Sequence, residues 1–304
     1  MPALILITGH LCNNNCIFCS DKFFRKEGNP TLEELKKIMI ENPHCDELVL
    51  QGETTIRKDI FELLTFVKTR NLKRVQLLSN GRMLSNYEFC KKIVSLNTIT
   101  DFLINTPAHK QETHEKITQV PGSFKQTKKA IQNLKKLKQY VTAYCAIIKQ
   151  NYIYLPEIAS YYLKLDVDEV QMVFVHPLGN ASTEFFNVTP KISLIEPHLI
   201  KSLDILSKEK IKIAMNGIPL CIMGKYSDKI IPFNKAISFY AKKVNDKESM
   251  KFIDESNITI DLKENIKTKF PQCKQCIKNN SCEGVWNRYA KEYGGKEFKP
   301  IKNE

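Results

Sequence analysis

No run of eighteen or more apolar residues occurs in the 304-residue chain, which excludes a membrane-spanning helix. The opening MPALILITGH is briefly apolar but lacks the basic flank and small-residue cleavage site of a signal peptide, so it reads as a first strand. Internal repeats and low-complexity linkers are also missing, which excludes a repeat architecture. With no export signal the chain reads as an intracellular, cytoplasmic protein, a setting where disulfides are rare. Its ten cysteines are therefore metal ligands or plain buried thiols. At 42% hydrophobic, the chain has enough apolar residues for one large domain with an appendage, or for two domains.

Acidic residues are in short supply: 33 Asp and Glu face 46 Lys and Arg, a net charge of +13. Such a charge invites a nucleic-acid partner. The plainer reading is surface composition. In SFKQTKKAIQNLKKLKQY, Ala130, Ile131, Leu134 and Leu137 form an apolar stripe, while Lys125, Lys128, Lys129, Lys135, Lys136 and Lys138 occupy the rest. That is a solvated helix packed on a sheet, so nucleic acid is the less favoured partner.

Short β-branched runs alternate with amphipathic ones through the first two thirds of the chain. Strands are expected at ALILITG, DELVLQG, KRVQLLSNG, ITDFLINT, VTAYCAIIKQ and DEVQMVFVHPLG. Helices lie between them, the first with Thr31 as N-cap and Glu34 completing a capping box. Such alternation argues for parallel strands and right-handed crossovers, whether closed as a barrel or open. After residue 185 the rhythm changes to one helix near 190–208, the strand IKIAMNG and a Lys-rich irregular stretch. The expected divisions are a core at 1–185, a connecting helix and strand at 186–215, and a C-terminal region at 216–304.

Cys12, Cys16 and Cys19 follow the first strand, where parallel α/β folds place their active sites. A structural zinc site with His10 as fourth ligand is one reading, although zinc sites usually split into two separated ligand pairs. Three thiols in one short loop suit an iron–sulfur cube with one iron left open. The spacing C-x3-C-x2-C, with Phe18 before the last cysteine, resembles the signature of the radical S-adenosylmethionine (SAM) superfamily. The resemblance continues in order along the chain. Gln51-Gly52-Glu53 stands where relatives carry Gly-Gly-Glu, and Ser79-Asn80-Gly81 where they carry Thr-Asn-Gly. Asn105 ends the fourth strand, HEKITQVPGSFKQTKKAIQNLKKL follows it, KQNY follows the fifth and VFVHPLG ends the sixth.

This resemblance covers residues 3 to about 180 and implies a partial (β/α)6 TIM-type barrel, an α/β fold. It implies a SAM-binding 4Fe–4S cluster on Cys12, Cys16 and Cys19, the residues expected to carry catalysis. It implies SAM contacts from Phe18, Gly52, Glu53, Ser79, Asn80, Asn105, Asn151, Val175 and His176. The implied reaction is reductive cleavage of SAM to a 5′-deoxyadenosyl radical, which abstracts a hydrogen atom from the substrate. The electron would come from a donor such as flavodoxin or ferredoxin.

Cys273, Cys276 and Cys282 give C-x2-C-x5-C, and Cys221 precedes them. Four thiols complete a closed site, either zinc or iron–sulfur. The pattern resembles the core of the SPASM and shorter twitch extensions that follow many radical SAM barrels. The full SPASM pattern has seven cysteines and two clusters, so here the resemblance implies one auxiliary 4Fe–4S cluster in a small cysteine-rich C-terminal extension. Cys45, Cys90 and Cys145 lack such spacing, and the last two read as buried thiols. His109 and His114 read as solvated loop residues, with a place in the substrate cavity as the alternative. Trp286 is expected to shield the second cluster.

Relatives with such extensions often modify peptides, so a peptide, matured after ribosomal synthesis, is the first substrate expected. The first strand begins almost at Met1, so a leader would be recognised elsewhere or by a separate protein. Radical modification of a small molecule, a nucleoside or RNA is the second expectation. A non-catalytic zinc-binding nucleic-acid protein is the reading from another class.

Overall fold

The computed structural model of the chain describes residues 3–209, 211–231, 251–253, 259–261 and 267–302. All six expected strands form: β1 (Ala3–Ile7), β2 (Glu47–Gln51), β3 (Arg74–Ser79), β4 (Asp101–Asn105), β5 (Val141–Ile147) and β6 (Glu169–Phe174). A seventh, β7 (Lys212–Asn216), pairs in parallel with β6. The sheet runs from β1 to β7 in chain order, every neighbouring pair parallel, with β1 and β7 as its edges. The result is an open, partial barrel one strand larger than the six expected. IKIAMNG is long and apolar enough to prolong the wall because the helix Ile192–Lys208 returns the chain to β6 as the earlier crossovers do.

Six helices make the first five crossovers: α1 (Leu32–Glu41), α2 (Ile60–Thr69), α3 (Tyr87–Ser95), α4 (Gln111–Thr118), α5 (Ser123–Lys136) and α6 (Leu155–Lys164). α1 starts at the expected capping box: Thr31 Oγ1 accepts from Glu34 N at 3.3 Å and Glu34 Oε2 accepts from Thr31 N at 2.7 Å. Asn86 caps α3 through Phe89 N at 3.0 Å. On α5, Ala130, Ile131 and Leu134 are fully buried while Lys125, Lys128, Lys129 and Lys136 stay exposed. Leu137 is partly buried against the core and Lys135 reaches Asp168 at 2.8 Å.

The two faces of the sheet differ. Leu48, Leu50, Val75, Leu77, Phe102, Ile104, Ala143 and Cys145 point to the helices and form the main core. Each large apolar side chain buried there stabilises the fold by about 1.5–3 kcal/mol. On the opposite face Asp101 accepts from Arg74 at 2.8 Å, Gln76 at 2.6 Å and Thr142 at 2.9 Å, which ties β3, β4 and β5 together across a lumen floor. Nearer the strand ends, the lumen-side Ile7, Gln51, Leu78, Asn105, Tyr144 and Gln171 are only partly buried. Solvent reaches central strands only where the barrel interior is hollow.

Beyond β7, Lys267–Thr268 pairs antiparallel with Val285–Trp286, and a helix follows at Asn287–Tyr293. Much of the expected Lys-rich irregular stretch falls on residues 232–250, 254–258 and 262–266, outside the described residues. Among the described residues, no helix is long and apolar enough to cross a membrane.

Candidate active site

The cysteine loop leaves the end of β1 and is held from three sides. The C-terminal turn of α4 takes two of its amides, Asn15 N on Thr118 O and Ile17 N on Ile117 O, both at 3.0 Å. Arg82 donates to Asn13 O and, at 3.3 Å, to Asn14 Oδ1, while its Nε rests on Gln126 Oε1 at 2.6 Å. Asn180 donates its backbone N–H to Cys19 O at 3.0 Å and its Nδ2 to Cys16 O at 3.4 Å. Gly179 permits that approach: a Cβ there would stand 2.3 Å from Ser20 O, on a backbone with φ +54°.

The strand-end motifs converge on this loop. Glu53, 4% exposed, accepts from Thr55 Oγ1, from Ser79 Oγ at 2.9 Å and from Asn80 N at 2.8 Å. Asn80 Nδ2 in turn donates to Asn13 Oδ1 at 2.6 Å and approaches Cys12 Sγ at 3.6 Å. Thus QGE and SNG form one hydrogen-bonded unit with the cysteine loop. Gly52 is required by space as well as by motif, because a Cβ at its φ of +95° would meet Gly9 O at 2.3 Å. Burial pushes the Glu53 carboxyl above its ordinary range, against the pull of Thr55, Asn80 and Ser79.

Cys12, Cys16 and Cys19 sit close enough to disturb one another electrostatically. Burial, then Glu53, pushes the Cys12 thiol up to about 11. Cys16 is raised by burial and its two neighbours, and Cys19 by burial and Asp21, with Arg25 opposing in all three cases. Buried thiols of this kind become thiolates when metal supplies the compensating charge. Among the described residues, no three His, Cys, Asp or Glu converge on a single ion. A cube, by contrast, takes its thiolates at separate corners.

The residues around the loop are of a kind that would hold SAM beside a cluster. Asn105 Oδ1 is buried without a hydrogen-bond partner, an acceptor in want of a donor. Val175 belongs to an apolar niche with Ala108, Ile117, Ile148, Ala181 and Val188, against which Ile17 and Phe18 pack. Two expected contacts have structural engagements of their own. Asn151 is fully buried, donating to Ala146 O at 2.8 Å and Pro107 O at 2.9 Å and accepting from Ile148 N at 2.8 Å. Its amide holds the tips of β4 and β5 together. His176 stacks edge-on to Trp286, ring centroids 4.4 Å apart, and burial with the Lys267 charge nearby depresses its pKa to about 3.

The second set of cysteines also meets. Cys221, Cys273, Cys276 and Cys282 line one concave space of about 450 Å³, open mouth included, walled by Leu220, Phe270, Val285 and Phe298. Burial and the other three thiols push Cys221 up to about 12. Trp286 is 4% exposed on the strand after this space. Lys267 lies over its ring at 4.6 Å and pairs with Glu283 at 2.5 Å.

Sequence reading missed the loop clamps. Arg82 directly follows SNG and Asn180 directly follows VFVHPLG, so both had a positional signal, whereas nothing local marks Arg25, whose guanidinium donates to Asn14 O at 2.8 Å. It also misplaced His114, expected in solvent. His114 is 1% exposed, edge-on to Phe124 at 5.5 Å, with a pKa pushed down to about 4 by burial. His109, partly buried, lies 5.7 Å from the Tyr154 ring. Cys45, Cys90 and Cys145 are buried thiols apart from either cluster.

Comparison with known proteins agrees with the fold. The profile of the Radical SAM superfamily matches residues 6–162. A protein named probable GTP 3′,8-cyclase from Sulfurisphaera tokodaii is 22% identical over 233 residues, 73% of this chain and 72% of that protein. One of the same name from Metallosphaera sedula is 23% identical over 194 residues, and the match spans only 56% of its length and 58% of this chain. Among solved structures, Streptococcus suis SuiB bound to S-adenosylmethionine superposes with a TM-score of 0.64 at 14% identity, over 99% of this chain and 76% of SuiB. The anSMEcpe structure with AdoMet and the Kp18Cys peptide also gives 0.64, at 17% identity over 98% of this chain and 92% of that one.

Proposed function

The chain belongs to the radical SAM superfamily, and from that premise we propose an enzyme that modifies a peptide, with a second cluster in its C-terminal region. When bound, a reduced 4Fe–4S cluster supplies the electron that cleaves SAM to methionine and the hydrogen-abstracting 5′-deoxyadenosyl radical. Cys12, Cys16 and Cys19 hold that cluster. Arg82, Asn180 and the end of α4 fix the loop that carries them. Glu53 orients Ser79 and Asn80 beside it, and Asn105 offers its free acceptor to the bound SAM. The apolar niche around Val175 and Phe18 excludes water from the site.

One observation supports a peptide most: the likeness in fold runs through nearly the whole chain, C-terminal region included. It extends to SuiB bound to precursor peptide SuiA, with a TM-score of 0.63 over 98% of this chain, and to peptide-bound anSMEcpe. A nucleotide is the second reading, favoured by the relatives named GTP 3′,8-cyclase. Cys221, Cys273, Cys276 and Cys282 hold the auxiliary cluster, a reading supported by their shared cavity. We divide the chain accordingly into a barrel core at 1–185, a connection at 186–215 and a cluster-bearing region at 216–304. A flavodoxin or ferredoxin supplies the electrons.

The test is anaerobic reconstitution with iron and sulfide, then SAM and reductant. Formation of 5′-deoxyadenosine, abolished by Cys16→Ala, is expected. An iron-loaded protein that makes none contradicts the reading. GTP converted where peptides are ignored would select the second one.

A further inference from the structure

Strand register places lumen side chains in rows. Asn105 is registered with Tyr144, and Tyr144 with Gln171. Asp101, which bonds Thr142 across β4 and β5, fixes which face this is, and steps of two residues along each strand keep to it. The row Asn105–Tyr144–Gln171 therefore crosses β4, β5 and β6 on the hollow side. Neighbouring strands lie ~4.8 Å apart, so the row spans about 10 Å, the reach of about three extended residues. All three side chains are partly buried, and Asn105 Oδ1 lacks a partner.

The row carries polar groups and no charge. Gln51, at the end of β2 on the same face, is also an uncharged carboxamide. Charged side chains of this face lie lower. Asp101 stands two lumen positions below Asn105 and is engaged by Arg74. Glu169 stands one position below Gln171 and accepts from Tyr140 Oη at 3.0 Å, and Lys212 lies over the Tyr140 ring at 5.3 Å. A phosphate or carboxylate lowered into the barrel would meet carboxamides and a phenol, with the only cations of β3 and β7 beneath them. A neutral amide loses little on desolvation there, since every polar group it brings finds a complementary one.

We infer that Tyr144 and Gln171, in the row that Asn105 begins at the SAM site, form an uncharged hydrogen-bonding shelf that receives a neutral, amide-bearing segment of the substrate. Tyr144 and Gln171 are the specificity-determining members. The inference rests on the peptide reading above, and it names the part of a peptide that enters: backbone with uncharged side chains.

The experiment uses the anaerobically reconstituted, SAM-loaded protein and binding measured by saturation-transfer NMR. The probes are a pool of N-acetylated, C-amidated tetrapeptides with uncharged side chains, together with guanosine and GTP. Neutral tetrapeptides are expected to bind, and Gln171→Leu and Tyr144→Phe each to weaken the tightest of them about five- to tenfold. Peptide binding untouched by both variants overturns the shelf and leaves the peptide reading standing. Guanosine binding in place of peptides, weakened by the same variants, overturns the peptide reading and keeps the shelf. GTP held more tightly than guanosine, or no probe retained, overturns the shelf.

Discussion

Individual side chains set the chemistry of the site by holding backbone in place. Arg82 is the clearest case, since its guanidinium ties the cysteine loop to α5 through Asn13, Asn14 and Gln126. Lysine has neither the fork nor the reach for three acceptors. Arg82→Lys is therefore expected to lower iron retained at the first cluster at least twofold after desalting, measured beside a Cys221→Ser background that isolates that site. His114 makes a separate prediction. Its folded pKa lies below the unfolded value of about 6.5, so the neutral ring is favoured by folding. Stability is full above that value and falls as pH drops toward 4. Between pH 7.5 and pH 5 this loss is about 2 kcal/mol. Urea unfolding of the metal-free chain at the two pH values should show His114→Phe shrinking the difference by about that amount. An unchanged difference would mean His114 is solvated after all.

Elements bring the residues together by close approach, and glycines mark where. The loop after β6 reaches the cysteine loop at Gly179, where a methyl group has no room and the backbone is left-handed. Gly179→Ala should cost about 1–3 kcal/mol of stability and lower the thermal midpoint, and the same variant should lose iron at the first site. How much was legible differs between elements. Strands and crossovers were readable because short β-branched runs alternate with longer amphipathic ones, with turn signals between. β7 was legible as a strand and illegible as barrel wall, since its membership depends on where a helix of seventeen residues delivers it. His114 misled because α4 is short and polar in composition, and its burial comes from packing on Phe124, which spacing does not reveal. The motif residues Glu53, Ser79 and Asn80 were legible as a set. That they bond to one another and to Asn13 is a fact of tertiary structure alone.

At the scale of the whole molecule, two groups of cysteines stand on one frame. The barrel holds the first at its mouth, and the segment after β7 brings Cys221 against the C-terminal three. Between them, His176 just past the end of β6 meets Trp286, so the barrel and the C-terminal region share a packed contact beside the partly buried Lys267–Glu283 pair. A metal-binding appendage folds as it binds. Cys276→Ser should therefore lower the protection of the Asn287–Tyr293 helix in hydrogen exchange while β2 to β5 keep theirs. Metal content per chain distinguishes two clusters from one or none. After anaerobic purification and reconstitution, iron, acid-labile sulfide and zinc are measured per chain. About eight irons and eight sulfides are expected, for two 4Fe–4S clusters. About four irons with one zinc would remove the auxiliary cluster and keep the catalytic one, while zinc without iron would overturn both clusters and the radical chemistry with them.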